Sequence, residues 1–174
     1  MEDLRRRYQA IFSSLDGSSR LLIIDDSEGN LEGLQSGEYV SSAEQLEGLL
    51  DRLKPILNSR LSSKDSGGEK LFVVISEFNR VFRMITDEQA AFLRKLCRFF
   101  DSTDYGIYFL CGFDVNGPKS NDSLFLSLVV HADSHLLGPG CYEKAASRLE
   151  SLPAIRGAGE SWLIQGEKYA EIGW

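Results

Sequence analysis

The chain has 174 residues, 43% of them hydrophobic and 26% charged, with a formal net charge of −7. That length supports a sizeable core in one domain, 1–174, and the composition is that of an ordinary globular protein rather than a disordered one. The acidic balance counts against broad nucleic-acid binding, which needs clustered Lys and Arg, and the run Arg5-Arg6-Arg7 reads as a solvated helix face.

Leu4, Tyr8, Ile11, Phe12 and Leu15 recur at helical spacing, with Gly17 placed to end that helix. "RLLIID" follows as a continuously apolar strand, the mark of a strand buried on both faces of a parallel sheet. "DSEGNLEGLQSGE" reads as a polar loop on the carboxyl edge of that strand. Ser42 and Gln45 make a capping box for a helix carrying Leu46, Leu49, Leu50, Leu53 and Leu57, with a kink expected at Pro55. After the flexible stretch "SRLSSKDSGGEK", the segment "LFVVISEFNRVF" (71–82) reads as a buried strand that breaks at Ser76-Glu77.

Thr86 and Gln89 form a second capping box, opening a helix with Ala90, Leu93, Leu96, Cys97 and Phe100 inward. "GIYFLC" and "SLFLSLVVHAD" read as a third and a fourth buried strand, and "CYEKAASRLESL" as a short helix closed by Pro153. "SWLIQGEKYAEI" alternates around Gln165-Gly166 and predicts a terminal hairpin. Strands alternating with helices predict an α/β fold with a mostly parallel sheet and helices on both faces. The chain opens on a helix where a doubly wound sheet opens on a strand, so the first strand and its phosphate-binding turn are expected to lie upstream.

Several constellations carry chemistry. "GFDVNGPKS", Gly112 to Ser120, is the nearest approach to a P-loop, but Pro118 stands between Gly117 and Lys119, removes an N–H and shifts the lysine, so a polar turn is the better account. Asp25 and Asp26 sit where receiver domains hold Mg²⁺, yet the matching end of "LFVVIS" carries Ser76, which cannot form an acyl phosphate. That leaves at most a phosphorylation-dead receiver-like module. His131 and His135 are spaced i, i+4 but straddle a strand end and a Pro/Gly-rich loop, so the spacing makes no zinc site. Cys97, Cys111 and Cys141 suggest no disulfide framework and suit a reducing compartment. No apolar run reaches the roughly 18 residues of a membrane span, so direct membrane insertion is not expected. Glu77 at a strand end has the chemistry to orient an attacking water, and Ser76 lacks the charge to anchor a metal.

The order of these motifs resembles FtsK/SpoIIIE-type ATPases. "LFVVISEFNRVF" is similar to their Walker B segment, in which apolar residues lead into Asp-Glu-Phe-Ala-Asp-Leu. Glu77, Phe78 and Val81 match, and Ser76 replaces the metal-holding Asp. "RLLIIDDSEGNLEGLQS", "DYGIYFLCGFDVNGPKS", "SLFLSLVVHADSHLLGPG" and "GAGESWLIQGEKYAEI" resemble, in order, the strand before it, the strand that leads to a Thr-Gln pair, the next strand, and the closing hairpin. The nearest variant is the last ATPase domain of type VII secretion motors of the EssC kind.

The resemblance implies a three-layer RecA-like (P-loop NTPase) fold and a degenerate C-terminal ATPase domain whose Walker A lies before residue 1. It implies ATP and Mg²⁺ for the family, but none for this chain alone, because Ser76 and the pair Cys111-Gly112 depart from the pattern. The partners it implies are neighbouring ATPase domains of the same motor and secreted protein substrates. The place is the cytoplasm, within a membrane-anchored complex. Inter-domain packing, regulation or substrate docking is then the expected role, with no ATP hydrolysis from this chain alone. An active protein or DNA translocase domain with an upstream Walker A remains the alternative.

Overall fold

The computed structural model describes residues 2–15, 17–26, 28–29, 31–34, 37–63, 69–99, 105–114, 132–138, 141–147, 162–165 and 168–171. They fall into two compact units, Met1–Phe113 and Asp114–Trp174.

In the first unit the elements run α1 (Glu2–Ser13), β1 (Arg20–Ile24), β2 (Glu38–Val40), α2 (Ala43–Ser63), β3 (Leu71–Ile75), α3 (Phe78–Met84), α4 (Asp87–Phe99) and β4 (Ile107–Cys111). Four strands form one sheet in the order β2-β1-β3-β4, and every pair is parallel. The register sets Ile24 against Val40 and against Ile75, and Ile75 against Cys111. All four carboxyl ends therefore lie along one edge. From β1 the chain moves to β2 on one side, whereas from β3 it moves to β4 on the other. Between β1 and β3 the winding reverses, the place where α/β sheets hold ligands.

Successive strand side chains alternate between faces. Leu21 and Ile23 of β1 and Val74 of β3 point toward α1 and form one buried cluster with Tyr8, Phe12 and Leu31. Phe72 and Leu110 pack against the same cluster. Leu22, Ile24, Val73 and Ile75 face the other way and are equally buried. The connection from β2 to β3 runs through α2, with Leu46, Leu49, Leu50, Leu53 and Leu57 buried along one side of the helix. α2 in turn contacts α4. Arg60, near the end of α2, is itself buried, and its guanidinium donates to the carbonyls of Glu69, Tyr105 and Gly106, tying the helix to the starts of β3 and β4.

The capping boxes form. Thr86 N–H donates to Gln89 Oε1 at 3.0 Å and Gln89 N–H to Thr86 Oγ1 at 3.2 Å. At the start of α2, Gln45 N–H donates to Ser42 Oγ, while Gln45 Oε1 accepts from Ser41 rather than from Ser42 itself. α2 runs on through Pro55.

In the second unit, β5 (Ser134–Leu137), α5 (Tyr142–Ala146), β6 (Trp162–Gln165) and β7 (Lys168–Glu171) are described, and β5-β6-β7 make an antiparallel sheet. β6 and β7 are the expected hairpin, with Gln165 opposite Lys168. The α/β class, the mostly parallel sheet and the C-terminal hairpin are as the sequence predicts.

Three local expectations need correcting. Glu38, expected as the end of a loop, opens the strand β2, held by pairing with β1 rather than by any apolar run of its own. The segment after Glu77 is the helix α3, with Phe78 and Val81 buried one turn apart. His135 lies inside β5, opposite Ile164, and not in a loop. The predicted strand at Ser123–Asp133 falls almost wholly outside the described residues, as do His131, Pro153 and the side chain of Cys97.

Candidate functional site

The parallel register brings Asp25 and Asp26, Ser76 and Glu77, and Cys111 and Gly112 to the carboxyl edge of the sheet. This is where ligand chemistry in such a fold is expected, and each group there can be followed to its partners.

Asp25 is fully buried. Its Oδ1 accepts from the N–H of Asp26 at 2.9 Å, and its Oδ2 accepts from the N–H of Leu31 at 2.7 Å and the hydroxyl of Tyr39 at 3.1 Å. The carboxylate thus folds the loop after β1 back onto the sheet and fastens β2 to it. Burial, followed by the neighbouring Asp25 carboxylate, pushes the Tyr39 phenol up to about 12. Asp26 turns its Oδ1 to the N–H of Glu28 at 2.9 Å, an Asx-type turn, and its Oδ2 lies 3.4 Å from Arg80 Nη1. The same Arg80 nitrogen lies 2.5 Å from Glu28 Oε2. Arg80 thereby bridges the first turn of α3 to the loop after β1, across the crevice where the winding reverses.

Glu77 is the N-cap of α3, with extended backbone at φ −144° and ψ 114°. Its Oε1 accepts from Asn79 N–H at 3.2 Å and its Oε2 from Arg80 N–H at 2.8 Å. These amides are among the orphan donors of a helix start, and a carboxylate there also opposes the positive end of the helix dipole. Ser76 is only 2% exposed, and its Oγ finds no hydrogen-bond partner among the described residues. Its backbone is fully engaged: Ser76 N–H donates to Ile24 carbonyl at 3.0 Å, and its carbonyl lies 3.3 Å from the Tyr8 hydroxyl.

Gly112 follows the last residue of β4. Its N–H donates to Ile75 carbonyl at 2.8 Å, and its carbonyl accepts from Phe78 N–H at 2.9 Å. A Cβ built on Gly112 would stand 1.8 Å from Ser76 carbonyl oxygen, so only glycine allows the two chains this close. Tyr8 lies over the junction with its hydroxyl 3.3 Å from the Ile75 carbonyl as well as from that of Ser76. Burial, then the charges of Cys111, Asp25 and Glu77, hold its phenol far above the ordinary range, so it is a neutral donor.

Ser76, Glu77, Asp25, Asp26 and Gly112 thus do meet at one edge; the rest of "GFDVNGPKS" beyond Asp114 lies outside the described residues. Among the described residues no group of three or more His, Cys, Asp and Glu side chains is arranged to hold a metal. Sequence reasoning missed two participants. Tyr8 stood in an apolar helical row with nothing to mark its hydroxyl, and Arg80 gave no signal beyond lying three residues after Glu77.

Comparison with solved structures finds the cytoplasmic domain of EssC, at a TM-score of 0.64 and 16% identity over 88% of this chain. It also finds EssC (ATPases 2 and 3) from Geobacillus thermodenitrificans, at a TM-score of 0.67 and 16% identity over 91% of this chain. The chain has the fold of EssC ATPase domains. It spans about a third of each EssC structure, 33% and 32%. No family model and no curated protein matches it. Among the described residues no helix is long and apolar enough to cross a membrane.

Proposed function

We propose that this chain is an ATPase-like domain of a type VII secretion motor that works without hydrolysing ATP. Its role is inter-domain packing, regulation or docking of secreted protein substrates, on the cytoplasmic side of a membrane-anchored complex. The EssC-like fold supports the first part of this reading. The observation that carries the second is Glu77: the carboxylate that would orient an attacking water instead receives two backbone N–H groups at 3.2 and 2.8 Å and caps α3. Beside it, the position of the metal-holding Asp is a buried Ser76 whose hydroxyl is unpartnered among the described residues. Most phosphoryl-transfer catalysis is positioning and electrostatics; at this edge Ser76 brings no charge to a metal and the Glu77 carboxylate is engaged as a cap.

Isothermal calorimetry of the chain with ATP and Mg²⁺ tests the reading. No binding heat and no phosphate release are expected, and Glu77→Gln should leave that result unchanged while altering only stability. Mg²⁺-dependent binding with turnover abolished by Glu77→Gln would instead make the chain an active motor domain.

A further inference from the structure

The contact among Tyr8, Ser76 and Gly112 has no counterpart in the motifs of the sequence and is unusually close. It joins three elements far apart in the chain: Tyr8 from α1, the carbonyl of Ser76 after β3, and Gly112 after β4. Tyr8 is 5% exposed, and its ring packs on Phe12 with centroids 5.6 Å apart, so the hydroxyl is held in place by the core below it. The Gly112 backbone is fixed from both sides, donating to Ile75 and accepting from Phe78. Just past the paired ends of β3 and β4, backbone meets backbone.

We propose that Tyr8, Ser76 and Gly112 form a resident tie that fixes α1 to the carboxyl ends of β3 and β4, so that the chain itself, and not a bound ligand, sets the position of that helix. The inference rests on the non-hydrolysing reading above and extends it. Joined in this way, α1 and that sheet edge move as a single piece.

Hydrogen exchange read by mass spectrometry or NMR tests the tie on the whole chain. Tyr8→Phe keeps the ring on Phe12 and removes only the hydroxyl. Because one net hydrogen bond is worth about 1 kcal/mol, exchange at the Phe78 and Gly112 amides should rise about fivefold. The amides of Leu46 to Leu53 in α2 should not change. Gly112→Ala, which forces a methyl toward the Ser76 carbonyl, should accelerate the same amides more strongly and carry the test should Tyr8→Phe fail to fold. Unchanged exchange at Phe78 and Gly112 in the folded variants, or an equal rise throughout α2, overturns the tie. ATP with Mg²⁺ added to the unaltered chain separates the two ideas: phosphate release that Glu77→Gln abolishes defeats the non-hydrolysing reading, whereas the variants alone decide the tie.

Discussion

At residue 76 a hydroxyl is buried without a hydrogen-bond partner among the described residues, and such a group destabilises a protein by its full desolvation cost. Ser76→Ala should therefore raise stability, by about 1 kcal/mol, seen as a higher urea midpoint with an unchanged slope. Ser76→Asp should do the opposite. The register that pairs Ile24 with Ile75 places residue 76 beside the fully buried Asp25, so a second carboxylate there is buried next to a like charge. A loss of about 3 kcal/mol is expected, with no Mg²⁺ affinity gained, and a variant that bound Mg²⁺ and kept its stability would contradict this account of the edge. Glu77 shows how one side chain can look like a catalytic base in sequence and serve as a cap in structure. Both uses ask for a carboxylate at a strand-to-helix turn, and only the positions of the Asn79 and Arg80 amides separate them.

The elements differ in how far they could be read. β1 and β3 were legible because strands buried on both faces show unbroken apolar runs; β4 shows such a run too, although only its Ile107 is fully buried. The helix beginning at Asp87 was legible because Thr86 and Gln89 carry their own mutual signal. β2 was not, since three residues leave no pattern and pairing with β1 alone makes them a strand. Neither was the tie at Tyr8, whose partners lie 67 and 68 residues away. β2 is fastened at its first two residues, Glu38 and Tyr39. Burial pushes the Glu38 carboxyl up, but the hydrogen bonds and charges of Arg20 and Arg52 outweigh it and hold it below the usual range. Tyr39, next along the strand, has its phenol pushed up to about 12 by burial and by Asp25. In the unfolded chain a tyrosine ionises near 10, so the Tyr39 contribution is whole below about pH 10 and disappears as pH rises toward about 12. Thermal melts of Tyr39→Phe should accordingly lose less stability between about pH 10 and 12 than the unaltered chain does. Equal losses would mean that the Tyr39–Asp25 hydrogen bond does not persist in solution.

Across the molecule, the net charge of −7 counts against broad nucleic-acid binding. Fluorescence anisotropy with a labelled duplex should show no binding at physiological ionic strength; a salt-dependent affinity would favour a DNA-translocating branch of the fold. The whole-chain fold was legible from the order of motifs, none of which is specific alone, because order along the chain is what a parallel sheet converts into position. The chemistry at its edge was not, because it depends on which amide, carbonyl or hydroxyl each acid meets. Gly112 carries one last implication, for how such an edge can change through time. With the Ser76 carbonyl where its side chain would grow, every single-step replacement at 112 collides with backbone before it can offer any new group. Mutation can therefore reopen this edge only in a fixed order, the backbone first and the side chain afterwards, so the present arrangement acts as a ratchet.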